Sequence, residues 1–155
     1  LRLDEQTKVE GAKFIGLALP AKLRGAHLVP TPTGSCNDSL HGARAPKDGA
    51  THCTEFTHCL GCPSYVIVGS LDDLHRLFSF QRFLMAEIDY YPAADWQQWQ
   101  MHHHDLIAHI DRIVSDHFTP ELVTQAKERA DRELHPFWEL RLRQVRTHRE
   151  ARYGG

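Results

Sequence analysis

Apolar positions along the chain fall into helical stripes separated by proline and glycine. Leu3, Val9, Ala12, Phe14, Ile15 and Leu19 recur at loosely helical spacing until Pro20, which predicts a first helix within residues 1–26. From His27 to Gly49 the chain is loop-like, punctuated by Pro30, Pro32, Gly34, Gly42 and Pro46, with only His27-Leu28-Val29 suited to a brief strand. Tyr65-Val66-Ile67-Val68, bounded by Pro63 and Gly69, predicts a short strand. Ser70 followed by Asp73 resembles a capping box, opening a helix with Leu74, Leu77, Phe78, Leu84, Met85 and Ile88 on its apolar face.

Pro92 breaks that helix and suits the first turn of the next, whose buried stripe is Trp96, Trp99, Leu106, Ile110, Ile113 and Val114. Thr119-Pro120-Glu121 combines an N-cap hydroxyl, a proline at the first position and a carboxylate near the positive end of the helix dipole. Leu122, Val123, Ala126, Ala130 and Leu134 then share one face. Pro136 is expected to kink or interrupt this helix before Phe137, Trp138, Leu140, Leu142 and Val145 resume the register. The expected architecture is therefore one mainly α domain of four to five helices. Residues 27–70 form a small loop-rich hub with one or two short strands, and residues 71–155 a helical bundle. The hub is expected to fix how the first helix meets that bundle.

Composition leaves this picture in place. At 155 residues, with 41% apolar and 25% charged positions, the chain is the size of one globular domain, and no apolar run approaches a membrane span. It starts at Leu1, and Leu1-Arg2-Leu3-Asp4-Glu5 lacks the basic start and apolar stretch of a secretory signal, so it reads as a fragment. A net charge of -2 gives no general attraction to nucleic acid, so any such contact has to come from a local patch.

The cysteines change the picture most. All four lie in one short stretch as Cys36, Cys53, Cys59 and Cys62, where a disulfide-stapled domain would scatter them, and this points to a metal in a reducing compartment. The two-residue gap between Cys59 and Cys62 lets both thiolates face one ion at about 2.3 Å, with Gly61 easing the turn, and Cys53 and Cys36 can close a tetrahedron. A structural zinc ion fits this pattern. A 4Fe-4S cluster held by the same four thiolates is the alternative, and His52 or His58 replacing one cysteine is another. A segment so poor in apolar residues needs the metal's binding free energy to offset its ordering entropy.

Val29-Pro30-Thr31-Pro32-Thr33-Gly34-Ser35-Cys36, Cys53-Thr54-Glu55-Phe56 and Cys59-Leu60-Gly61-Cys62-Pro63-Ser64-Tyr65-Val66-Ile67, followed by Leu71-Asp72-Asp73-Leu74, carry a resemblance. Residues 28 to 85 look like the cysteine-rich C-terminal extension of bacterial phage-integrase-like tyrosine recombinases. The resemblance implies a parent protein that breaks and rejoins DNA through a tyrosine nucleophile. This chain would then be a non-catalytic part lying beyond that machinery, cytoplasmic and nucleoid-associated, with DNA, its own copies or other recombinase subunits as partners. Its competitor is a zinc-stabilised protein-interaction domain that never touches nucleic acid, and a weaker third is a cluster-bearing or metalloenzyme domain.

The remaining motifs have blander readings. His41-Gly42-Ala43-Arg44 sits in a glycine-rich loop, and His109-Ile110-Asp111-Arg112 lacks the following tyrosine, since Gln144 stands there. His102, His103 and His104 point in three directions on a helix, so a second metal site built with Asp105 and His109 is not expected. Trp96, Trp99 and Trp138 are spaced for core packing rather than base stacking. Arg146, Arg149 and Arg152 recur at three-residue intervals and would form a basic edge for DNA phosphates if the last helix persists through them; a merely solvated charged face is the alternative.

Overall fold

The structure, a computed structural model, describes residues 17–20, 28–41, 44–62, 64–91 and 97–153. Within these the protein is mainly helical. Four strands, β1 (Leu17–Pro20), β2 (Val29–Thr31), β3 (Gly34–Cys36) and β4 (Tyr65–Gly69), and a 3-10 helix (Phe56–Gly61) are followed by four α-helices. The helices are α1 (Leu71–Tyr90), α2 (Gln97–His117), α3 (Pro120–Arg132) and α4 (Pro136–Tyr153).

The strands form one sheet in the order β1-β4-β3-β2, richer than the one or two strands expected. β1 runs parallel to β4, with Leu17 opposite Val66, whereas β3 is antiparallel to both β2 and β4. Leu17–Pro20 therefore corrects the helix expected to run to Leu19; the rest of that helix, residues 1–16, lies outside the described residues. Both prolines fit their places, because Pro20 ends one edge strand and Pro30 lies in the other, where a missing amide donor is tolerated. β4 is central, and Tyr65, Val66, Ile67 and Val68 are all buried, which explains a continuous apolar run rather than alternation. Gly34 lies at φ +149°, and a Cβ there would stand 2.9 Å from the Tyr65 ring, so the hairpin admits no side chain at this point.

α1 is the hub of the bundle, touching α2, α3, α4, β3 and β4. Leu74, Leu77, Phe78, Phe80, Phe83 and Leu84 are buried on it, while Met85, expected on the same face, is exposed. A helix enclosed on most sides must also bury polar groups, and each of these reaches a different neighbour. The Asp73 carboxylate holds the sheet, accepting from the Val68 amide at 2.6 Å and the Ser35 hydroxyl at 2.8 Å. Gln81 donates to the Ile107 carbonyl of α2 at 2.9 Å. Ser79 accepts the His135 amide at 2.9 Å, and the His75 Nε2 lies 2.7 Å from the Glu133 carbonyl, which fixes the turn between α3 and α4.

The helix starts follow the sequence. The Ser70 hydroxyl accepts from the Asp73 amide and the Thr119 hydroxyl from the Leu122 amide. The capping box is only half formed, because Asp73 turns its carboxylate to the sheet instead of back to Ser70. α3 ends at Arg132 and α4 begins at Pro136, so the proline interrupts rather than kinks. The expected start near Pro92, with Trp96, lies outside the described residues.

The two histidines at this turn, buried His75 and half-buried His135, make stability pH-dependent. Burial pushes the His75 pKa down, and burial followed by the nearby Arg76 charge does the same to His135. Below about pH 6.5 the unfolded chain binds protons that the folded one refuses, so stability is complete above that pH and declines beneath it. Urea midpoints measured at about pH 7.5 and about pH 5 are expected to show the loss, and His75→Gln should reduce it.

Candidate metal centre

Backbone bonds between distant parts of the hub set the four cysteines around one cavity. Cys36 ends β3 opposite Tyr65, the Asn37 amide donates to the Ser64 carbonyl at 2.9 Å, and the Cys53 amide donates to the Ser39 carbonyl at 2.8 Å. The first of these bonds sets the chain leaving Cys36 against the chain leaving Cys62. The second lays Cys53 alongside the chain after Cys36. Cys59 sits in the 3-10 helix, which closes with the Cys62 amide donating to the Cys59 carbonyl at 2.9 Å. All four thiols are half-buried, free of disulfides, and line one cavity of about 30 Å³.

The local electrostatics are those of thiols gathered before they ionise. Burial pushes the Cys59 thiol up to about 12, against the Thr33 hydroxyl beside it, and the charges of Cys62, Cys36 and Cys53 add to the rise. Burial also raises Cys36; the Asp38 backbone amide opposes this, while Cys62 and Cys53 again add to it. The same amide device recurs at Cys53, whose sulfur accepts from the Glu55 amide at 3.4 Å. Each of these two sulfurs thus has a backbone amide two residues on as its neighbour. Among the described residues no three histidine, cysteine, aspartate or glutamate side chains are grouped closely enough to hold an ion. A divalent cation displaces the thiol protons as it binds, and its charge then holds together thiolates that would otherwise repel one another.

The donor set nonetheless suits a metal. Among the described residues the cavity wall carries four sulfurs and no histidine: the His52 Nδ1 lies 2.6 Å from the Ser39 hydroxyl, and His58 does not line the cavity. Among the described residues the wall also carries Arg44, whose charge opposes the net negative charge that four thiolates leave around a divalent ion, and Glu55, whose charge adds to it. Sequence reasoning missed both Arg44 and Thr33, because neither lies in the cysteine spacing.

No protein-family model, curated protein or solved structure matches this chain.

The other sequence candidates disperse. His103 is buried, with Nε2 2.9 Å from the Glu87 carboxylate, while His102, His104 and Asp105 are exposed. His109 is buried and its Nδ1 lies 3.2 Å from Arg112, so this His-x-x-Arg pair is an internal contact of α2. Gln144 is exposed on α4, and Gly42 and Ala43 of the other match lie outside the described residues. Trp138 is wholly buried against Phe80, Phe83 and Phe137. Trp99 is half-buried beside Tyr91 and His103.

α4 runs unbroken through Arg146, Arg149 and Arg152. Arg146 is exposed and donates to the Tyr90 hydroxyl at 2.7 Å; the side chains of Arg149 and Arg152 lie outside the described residues. Arg143 is paired with Glu139 one turn back at 2.8 Å. Among the described residues no helix is long and apolar enough to cross a membrane.

Proposed function

We propose that this chain is a non-catalytic module of a site-specific DNA recombinase. A structural zinc ion held by Cys36, Cys53, Cys59 and Cys62 folds its hub, and the basic end of α4 engages DNA in the bacterial nucleoid. That all four cysteines line one small cavity is the observation that supports this reading. Four thiolates fill zinc's tetrahedral shell and leave no open position for substrate, which supports a structural rather than a catalytic ion. The DNA half is supported by the cysteine-segment resemblance and by the continuity of α4 through three arginines at three-residue spacing.

Two measurements test the halves separately. Elemental analysis of purified protein is expected to give one zinc per chain; bound iron would replace zinc with a cluster, and absence of any metal would remove the reading altogether. DNA affinity measured at two salt concentrations should fall with salt, and replacing Arg146, Arg149 and Arg152 with glutamine should lower that log–log slope by up to about three. The second reading is a zinc-stabilised protein-interaction domain, supported by the net charge of -2 and by the exposed Met101 and Leu140. Zinc content with no salt-dependent DNA affinity would select it.

A further inference from the structure

The first turn of α4 is built into the wall of the cysteine hub. The Trp138 Nε1 donates to the Pro32 carbonyl at 2.6 Å, in the turn between β2 and β3. Phe137, its neighbour, meets the Phe56 ring edge-on at 5.2 Å, and Phe56 lines the cysteine cavity. Thr33 joins these two contacts, because its hydroxyl donates to the Phe56 carbonyl at 2.8 Å and its carbonyl accepts from the Tyr65 hydroxyl at 2.8 Å. The same Thr33 hydroxyl stands beside the Cys59 thiol. A chain of direct contacts therefore runs from Cys59 through Thr33 and Pro32 to Trp138.

We propose that the hub positions α4 through Trp138, so that metal occupancy controls the surface this helix presents. The inference rests on the reading of the four cysteines as a metal site, and it does not depend on what α4 binds. Among the described side chains of the outer half of α4, Leu142 is buried, Val145 is half-buried and Arg146 reaches the Tyr90 hydroxyl, whereas Thr147 and His148 are exposed, so the base of the helix carries most of its anchoring. A helix of 18 residues spans roughly 27 Å, so a tilt of about 10° at its base carries its tip roughly 5 Å. Between β3 and the 3-10 helix the hub is mostly exposed loop, held by local turns such as those of Asp48 to Ala50 and Thr51 and by the contacts of Ser39 to Cys53 and His52. Loss of the metal relaxes that loop, the turn at Pro32 and Thr33 loses its backing, and Trp138 loses its acceptor.

Hydrogen exchange of the full chain, as purified and after zinc chelation, tests this, with residues 74–84 of α1 as internal reference. Chelation is expected to speed exchange in residues 28–62 and in the first turns of α4 by about tenfold, with the α1 reference unchanged. Trp138→Phe keeps ring packing but removes the donor. With zinc still bound, it should speed exchange at the start of α4 by about tenfold, and chelation should add little more. A tryptophan that only fills the core would loosen α1 as well and leave the response of α4 to chelation intact. In a Trp96→Phe, Trp99→Phe background, Trp138 emission should shift to the red on chelation. Hub loosening with α4 exchange and Trp138 emission both unchanged would overturn the inference while leaving the metal reading intact. A chain that binds no metal at all would remove the metal reading instead, and the inference with it.

Discussion

Cys59→Ala is expected to abolish stoichiometric metal binding and to melt the hub while α1, α2 and α3 stay helical. Two magnitudes compete. If Cys59 is only a half-buried thiol, removing its sulfur costs about 1 kcal/mol, comparable to losing one methylene. If it is one of four ligands, the chain forfeits much of a binding free energy that runs to roughly 10 kcal/mol or more in small structural zinc modules. Part of that free energy orders an otherwise loose loop, so a net loss of about 4 kcal/mol is the expected reading from urea denaturation. The four single variants at Cys36, Cys53, Cys59 and Cys62 should behave alike, and a second cysteine change should add little to the first. A cost near 1 kcal/mol for Cys59→Ala, with the other three cysteines independent of it, would return them to the status of ordinary core thiols.

What the sequence disclosed of this arrangement depends on how local each cause is. Thr119-Pro120-Glu121 and Ser70 announce helix starts because a cap acts within one turn, and both hydroxyls make their bonds. Tyr65 to Val68 reads as a strand because it is buried on both faces. β1 was not legible, since Leu17-Ala18-Leu19 suits a helix equally well and becomes a strand only against a partner far along the chain. β3 is a strand of glycine, serine and cysteine, poor strand formers held in place by β2 and β4 on either side. The cysteine spacing exposed the candidate ligands. The residues that tie their cavity to the rest of the molecule, Thr33 and Trp138, stayed hidden because they act across long sequence separations. The hub was expected to fix how the first helix meets the bundle, and residues 1–16 of that helix lie outside the described residues; the hub's contacts with the last helix, through Pro32 and Phe56, were not foreseen.

Asp73→Ala is expected to be the most damaging change outside the hub, at about 3–5 kcal/mol by urea denaturation. Its side chain has no solvent exposure, and three donors depend on it: the Val68 amide at 2.6 Å, the Ser35 hydroxyl at 2.8 Å and the Arg76 guanidinium at 2.6 Å. Alanine leaves the Val68 amide and the Ser35 hydroxyl unpaired in the buried interior and strips the half-buried Arg76, whose Nε is already buried without a partner, of its carboxylate. Asp73→Asn keeps the shape and one accepting oxygen, but loses the charge and turns an amino group toward a donor, so about half the cost should remain. The neighbouring residue is the control. Asp72 also lies in the first turn of α1 and pairs with Arg129 at 2.8 Å, but its side chain is 67% exposed. Asp72→Ala therefore forfeits only a solvated ion pair and a dipole contact, together about 1 kcal/mol or less. Two adjacent aspartates that propensity cannot tell apart should differ several-fold in cost, because one caps a helix in water and the other joins that helix to the sheet whose third strand ends in Cys36.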